Sequence, residues 1–378
     1  MTRSRALRPD APVAVLFGGT SAEHDVSIRS GTAIVDALRA GGRPVQPVCV
    51  DLDGGWWWLP VDHARVGRPP ATYDAPATLD AAGPFRPGVA VEILAAADPA
   101  PVVFVALHGP FGEDGTVQGM LEVAGLAYTG SGVEASAIGM DKARFKRLAA
   151  AVGIPVVEWT EVTAAHWAGD RAAVLADLEA FAVRIGEPRL MVKPAGLGSS
   201  IGMTIAHRPD ERAVALEHAF AYDRTALVER YLDHPRELEV GVVGNDPLAL
   251  DTYGPGEVIP GHEFYDYAAK YLTDDARTLP TADLPSARVA ELRRVAAATY
   301  STVGAEGFAR VDFLLEGDRL HVSEVNTIPG FTEISLFPQM CAAAGLPMPA
   351  LCGRIVTLAV ERHLATAPRR LGREDLPR

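Results

Sequence analysis

Asp312, Glu324 and Asn326 have the residue types and spacing that point most directly to chemistry in this chain, lying in two alternating stretches on either side of Gly317-Asp318. In the first stretch Arg310, Asp312 and Leu314 share one face, while Ala309, Val311, Phe313 and Leu315 share the other, as alternate residues of a strand must. In the second, Leu320, Val322, Glu324 and Asn326 share a face. A three-residue loop, Gly317 to Arg319, would set Asp312 opposite Glu324 and Arg310 opposite Asn326. A two-residue turn would send the two sets to opposite faces, because a slip of one residue flips every side chain. In the first register two carboxylates and an amide oxygen converge within ~5 Å. That oxygen set suits Mg²⁺, which takes a few carboxylates and completes its shell with substrate phosphates. The alternative is a solvent-facing polar strand with an Arg310–Glu324 ion pair. The sharp turn at Asn326-Thr327-Ile328-Pro329-Gly330 favours a site, since loops beside such strand ends commonly carry chemistry.

A second candidate is the stretch Ala195-Gly196-Leu197-Gly198-Ser199-Ser200-Ile201-Gly202 after Lys193-Pro194. It is not a dinucleotide fingerprint. That motif needs glycine at position 201 and a helix directly after the loop, whereas residues 203–206 predict a second strand. No GxxxxGK[ST] occurs in the chain, which excludes a P-loop. A glycine- and serine-rich hairpin can fold its backbone N–H groups over phosphates while Lys193 neutralises their charge. A plain surface hairpin with a solvated lysine is the other reading.

The elements that must position these residues follow from periodicity. Residues 13–17 are a continuous apolar run ending in Gly18-Gly19, the pattern of a buried parallel strand and a tight turn. Helical periodicity starts near Val26 and stops at Gly41-Gly42, and residues 45–50 predict the next strand, which opens a βαβ unit. Pro60, Pro69, Pro70, Pro76, Pro84 and Pro87 predict loop or short edge strands over 60–90. Residues 102–107 predict a further strand, and residues 142–152, 287–302 and 351–364 predict helices. An open α/β unit is therefore expected first, followed by mixed helices and hairpins of α+β character.

Composition bounds the rest. The 378 residues, 48% hydrophobic, exceed what one core normally serves. A net charge of −13 disfavours non-specific nucleic-acid binding. Cys49, Cys341 and Cys352 form no CxxC pair, which suits buried thiols in a reducing compartment. The N-terminus lacks the apolar run of a signal peptide, and no stretch approaches the ~20 apolar residues of a membrane span. A cytoplasmic protein is expected.

Several segments together resemble the D-alanine–D-alanine ligases of the ATP-grasp superfamily. They are Leu16-Phe17-Gly18-Gly19-Thr20-Ser21-Ala22-Glu23-His24-Asp25-Val26-Ser27, Leu107-His108-Gly109, Gly112-Glu113-Asp114-Gly115, Met140-Asp141-Lys142 and Lys193-Pro194 with Gly198-Ser199-Ser200-Ile201-Gly202. Lys270-Tyr271, Arg310-Val311-Asp312, Glu324-Val325-Asn326-Thr327-Ile328-Pro329-Gly330-Phe331-Thr332 and Ile334-Ser335-Leu336 complete the series in the family's order. The resemblance implies an α/β N-terminal domain over 1–130 and two α+β domains forming an ATP-grasp fold, a central one over 131–229 and a C-terminal one over 230–367, with a charged tail over 368–378. A lid at about 253–279 would exclude water that hydrolyses an acyl phosphate.

By the same resemblance, ATP phosphorylates the first D-alanine carboxylate and the amine of the second attacks the acyl phosphate. Asp312, Glu324 and Asn326 would bind magnesium, as two Mg²⁺ ions with Mn²⁺ as an alternative. Lys142, Lys193 and Lys270 would meet phosphates. Glu229, Arg230, Tyr231 and Leu232 would form the adenine hinge, and Glu237 the ribose contact. Glu23 would pair with the first substrate's ammonium in a network with Ser199 and Tyr271, and His108 would lie near that substrate. Arg310 and the Gly330 N–H would stabilise the tetrahedral oxyanion, and Ser335 with the Leu336 backbone would hold the second carboxylate. Two departures stand out: Arg230 where lysine is common, and Glu333 adding charge two residues before Ser335. Tyr271 favours a dipeptide product. The alternatives are a ligase with D-serine, D-lactate or another amine as second substrate, and a non-catalytic nucleotide binder. A homodimer is expected from the resemblance alone.

Overall fold

The computed structural model describes residues 11–259 and 277–366. The first sheet is built from β1 (Val13–Gly18), β2 (Val45–Val50), β3 (Trp56–Trp58), β4 (Ala82–Phe85) and β5 (Val102–Val105), in the order β4-β3-β2-β1-β5. Its β1, β2 and β5 are parallel, so their apolar runs are buried on both faces. Helix α1 (His24–Ala40) sends Ile28, Ile34, Val35 and Leu38 into the core with Val13, Val15 and Phe17.

Gly31 lets that helix lie close on β1: a Cβ there would come within 2.3 Å of the Phe17 Cβ. Gly31→Ala is therefore expected to destabilise the fold by about 1–3 kcal/mol through overpacking. Urea titration of the variant beside the parent checks this, and unchanged stability would refute the packing argument.

Over 60–90 the prolines act as sequence predicts only in part. Three short 3₁₀ turns (Val61–His63, Pro70–Tyr73, Pro76–Leu79) precede the edge strand β4. Pro87, however, opens helix α2 (Pro87–Ala96), where its missing N–H costs nothing. Helices α3 (Thr116–Val123), α4 (Val133–Met140) and α5 (Lys142–Ala151) follow. The Asp141 side chain caps α5 by accepting from the Arg144 N–H.

The second sheet, β6 (Trp159–Thr163), β7 (Leu190–Pro194), β8 (Thr204–Ala206) and β9 (Thr225–Arg230), runs β6-β9-β7-β8 with antiparallel neighbours. After the short α6 (Ala164–Gly169), α7 (Arg171–Ile185) and α8 (Arg212–Phe220) pack on it through Leu178, Phe181 and Leu216. The glycine loop thus joins two antiparallel strands, as its flanks predict.

The third sheet comprises β10 (Arg236–Val243), β11 (Asp251–Ile259), β12 (Arg277–Leu279), β13 (Phe308–Glu316) and β14 (Arg319–Asn326), in the order β12-β11-β10-β13-β14. Helix α9 (Ser286–Thr302) covers one face with Leu292, Val295 and Tyr300. Within the expected lid, residues at both ends are paired strand, with Glu257 opposite Leu279. Residues 260–276, and with them Lys270 and Tyr271, lie outside the described residues. The chain ends in α10 (Leu336–Ala343) and α11 (Met348–Thr366), and α11 places Leu351, Cys352 and Ile355 in the core beneath the first sheet.

The β13–β14 register corrects the turn-based argument while reaching its result. Glu316 pairs with Arg319, so the turn has two residues, yet Asp312 still faces Glu324 and Arg310 faces Asn326. A β-bulge makes up the difference: pairing steps from Phe313↔Val322 to Asp312↔Glu324, leaving Ser323 as the extra residue. The bulge also splits the expected face of β14. Leu320 and Val322 lie in the core with Val325, whereas Glu324 and Asn326 turn to the opposite side.

Candidate functional site

The β7–β8 hairpin and β9 stand on one side of a cleft of about 410 Å³, and β10, β13 and β14 on the other. The start of α1 and the loop after β5 line its inner end, and residues 328–330, 332 and 334–336 line its rim. Glu23, His108, Lys142, Lys193, Ser199, Glu229, Arg230, Tyr231, Leu232, Glu237, Arg310, Asp312, Glu324, Asn326, Gly330, Ser335 and Leu336 all line this one cleft. The sequence candidates inside the described residues are therefore brought together.

At the inner end, Glu23 directly precedes α1, an acidic side chain at the positive pole of a helix. Its Oε1 accepts a hydrogen bond from the Ser199 hydroxyl. Ser199 and Ser200 reach this position with φ of +52° and +58°, a left-handed pair that costs non-glycine residues energy and clusters at functional sites. His108 Nδ1 lies 3.4 Å from Glu113 Oε1 and Nε2 3.0 Å from Ser30 Oγ. Burial alone would lower its pKa, but Glu113, aided by Glu23, outweighs that and raises it. Ser30 Oγ also accepts from the Phe331 N–H at 3.2 Å, so Ser30 ties α1 both to His108 and to the loop that carries Gly330.

Three lysines converge from the central elements. Lys142 Nζ donates to the Leu197 carbonyl at 2.7 Å and pairs with Glu324 Oε2 at 3.0 Å. Burial would lower its pKa, yet Glu324 with Glu23 and Glu113 raises it. Lys193 Nζ pairs with Glu229 Oε2 at 2.6 Å, and Lys146 Nζ takes the other oxygen at 2.5 Å. Burial would raise the Glu229 pKa, but the two lysines hold it down at about 2. For Lys146 burial dominates and the pKa falls.

On the opposite wall, Arg310 donates from Nε and Nη2 to the two Asp312 oxygens, each at 2.7 Å, and its Nε lies 3.2 Å from Glu239 Oε2. Asn326 Nδ2 donates to Asp312 Oδ2 at 2.8 Å. Among the described residues no three His, Cys, Asp or Glu side chains form a ready-made metal cage. The donor set nevertheless fits a hard divalent cation: opposed carboxylates and an amide on one face, partly exposed, with room for phosphate oxygens. Asp312 and Glu324 are now shared with Arg310 and Lys142, cations that keep the like charges together.

At the rim, Ser335 Oγ accepts from the Thr332 N–H at 3.1 Å, just ahead of α10. A Cβ on Gly330 would come 2.7 Å from that oxygen, so a larger residue there would have to displace the Ser335 hydroxyl. Glu333 is exposed and does not line the cleft.

Sequence reasoning missed Glu239 and Lys146. Glu239 sits opposite Asp312 across β10–β13. Its signal was the alternation Glu237-Leu238-Glu239, which puts both glutamates on one face. Lys146 lies one helical turn after Lys142 and carried no signal of its own.

A family model described as D-ala D-ala ligase N-terminus matches residues 12–131, and one described as D-ala D-ala ligase C-terminus matches residues 148–357. A D-alanine–D-alanine ligase from Heliobacterium modesticaldum is 39% identical over 375 residues, covering 97% of this chain and 98% of the relative. One from Kineococcus radiotolerans is 41% identical, covering 94% and 98%. Among solved structures, the D-alanine-D-alanine ligase of Coxiella burnetii superposes with a TM-score of 0.75 at 30% identity, covering 95% and 96%. The VanG D-Ala:D-Ser ligase of Enterococcus faecalis gives 0.76 at 26% identity, covering 93% and 99%.

Proposed function

This chain belongs to the D-alanine–D-alanine ligase family, and on that basis we propose how its cleft joins two D-alanines at the expense of ATP. The first D-alanine carboxylate is phosphorylated, the amine of the second attacks the acyl phosphate, and ADP and phosphate leave. The product serves peptidoglycan precursor synthesis. A carboxylate is a poor electrophile, and phosphorylation gives it a leaving group. Catalysis then lies in placing charge around the moving phosphoryl group and in holding both amino acids in line.

Lys142 and Lys193 approach the phosphates from the central elements, and the N–H groups of the 196–202 loop fold over them. Lys270 would join them from the lid, where Tyr271 would complete the Glu23–Ser199 network. Glu229 with the Arg230–Leu232 backbone borders the adenine, and Glu237 meets the ribose. Asp312, Glu324 and Asn326 would hold Mg²⁺, which neutralises phosphate charge when bound. Glu23 receives the first substrate's ammonium beside His108. Arg310 and the Gly330 N–H face the tetrahedral oxyanion. Ser335 and the Leu336 N–H, at the start of α10, receive the second carboxylate.

The observation that carries this reading is the arrangement of one cleft: basic side chains and opposed carboxylates at its middle, Glu23 at one end and Ser335 at the other. Its test is ADP formation with D-alanine, ATP and Mg²⁺, with the product identified by mass, and with D-serine and D-lactate as competitors. D-alanyl-D-alanine is expected. A mixed product at equal competitor concentration would overturn the second-substrate assignment. We also assign the protein to the cytoplasm, which cell fractionation checks, and infer a homodimer, which light scattering of the purified chain checks.

Gly109 supplies a narrower test. It has φ of +73°, and a Cβ would come 2.6 Å from Glu23 Oε2. Gly109→Ala is expected to raise the KM for D-alanine about tenfold, with the KM for ATP within about twofold. Equal shifts in both would remove Glu23 from the amino-acid subsite.

A further inference from the structure

Arg230 is the last residue of β9, and β10 begins at Arg236. Residues 231–235 therefore carry the chain from one wall of the cleft to the other. A side-chain tie spans the same gap. Arg230 Nε pairs with Glu158 Oε2 at 2.8 Å, beside β6 on its own wall. Its Nη1 and Nη2 donate to the two oxygens of Glu316, each at 3.0 Å. Glu316 ends β13 on the opposite wall, immediately before the β13–β14 turn.

The fork geometry matters. A guanidinium presents paired N–H groups that match a carboxylate in one orientation, whereas an ammonium is a point charge that tolerates many. The Arg230 side chain is only 10% exposed and that of Glu316 25%, so the pair is less screened than a surface ion pair. His321, itself buried, packs at this end of the cleft. Burial first, and then Arg230, lowers its pKa, so it adds no competing charge at neutral pH. The backbone closes the same corner, since the Val322 N–H donates to the Pro155 carbonyl at 2.7 Å.

We propose that the Glu158–Arg230–Glu316 bridge is a positioning device that fixes the separation of the two cleft walls at the nucleotide end, and so sets affinity for ATP and ADP. It touches no reacting atom. Opening the walls about the 231–235 link must break the Arg230–Glu316 fork first, because its partners lie on opposite sides of that link. The inference rests on the reading of this cleft as the nucleotide site.

Glu316→Gln and Arg230→Lys separate the possibilities, each keeping a polar group of similar length. ADP binding with Mg²⁺ is measured by calorimetry on the full chain, beside steady-state kinetics and thermal unfolding. Glu316→Gln is expected to weaken ADP binding and raise the KM for ATP about tenfold, with kcat and the KM for D-alanine within about twofold. Arg230→Lys is expected to weaken ADP binding similarly, and the double variant to be no worse than either single one. Glu158→Gln should have the smaller effect, since its contact is single and its side chain is 48% exposed. A lowered unfolding temperature with unchanged ADP affinity in both single variants would reduce the bridge to a structural ion pair and overturn the proposal. Independent, additive losses would do the same. Failure of the parent protein to bind ADP would instead refute the nucleotide reading on which the inference rests.

Discussion

Arg310→Met is expected to lower kcat by about 10³-fold while ADP affinity changes only severalfold. The reason is where Arg310 is held. Its fork is locked on Asp312, and Glu239 approaches its Nε from the neighbouring strand. Burial would strip its proton more easily, but Asp312 and Glu239 raise its pKa well above the ordinary value. It is thus a permanently charged, pre-oriented donor, the type of group that stabilises charge developing in a transition state without reorganising. Removing it leaves Asp312, Glu239 and Glu324 facing one another, which weakens the fold as well as the chemistry. Arg310→Lys guards against that ambiguity, because it keeps the charge and loses only the fork. An intermediate loss of kcat in the lysine variant, with native thermal unfolding, supports the oxyanion role. Turnover at the parent rate in both variants would remove Arg310 from the reaction, and an ADP affinity that falls as far as kcat would make it a binding residue.

The carboxylate face was legible because strand alternation is strict, and Arg310, Asp312 and Leu314 could share only one side of β13. The turn was not. An added residue at Ser323 leaves no mark in a local pattern, and only the pairing of β14 with β13 reveals it. The glycine loop was recognisable as a hairpin from the strand after it, whereas the left-handed Ser199-Ser200 pair follows from tertiary contact with Glu23. Long-range polar partners were hidden for the same reason. Glu239 joins the Asp312 cluster through the sheet, and Arg230 finds Glu158 and Glu316 at separations of 72 and 86 residues. Pro87 was misjudged because a proline reads as a breaker unless the helix beginning at it is recognised.

Glu229 shows how such hidden partners change the meaning of a residue assigned from resemblance. It stands at the edge of the proposed adenine hinge, yet its two oxygens hold Lys146 and Lys193 inside the protein. Glu229→Gln is expected to destabilise the chain by about 3–5 kcal/mol, the usual result of stranding buried charges, and to abolish measurable nucleotide binding by releasing Lys193. The pH dependence follows from the depressed carboxyl. Relative to an ordinary carboxyl at 4.5, a folded pKa of about 2 contributes stability on the order of 3 kcal/mol. That contribution is complete above the unfolded value and is lost as pH falls from there through about 2. The stability gap between parent and variant, followed by urea titration, should therefore narrow progressively below pH 4.5. Adding Lys146→Met to Glu229→Gln removes one stranded ammonium and should recover part of the stability without recovering nucleotide binding, since Lys193 stays unclamped. A constant gap across the acid range would show that Glu229 is not held ionised by its lysines. Restored ADP binding in the double variant would show that Lys193 needs no carboxylate to reach the phosphates.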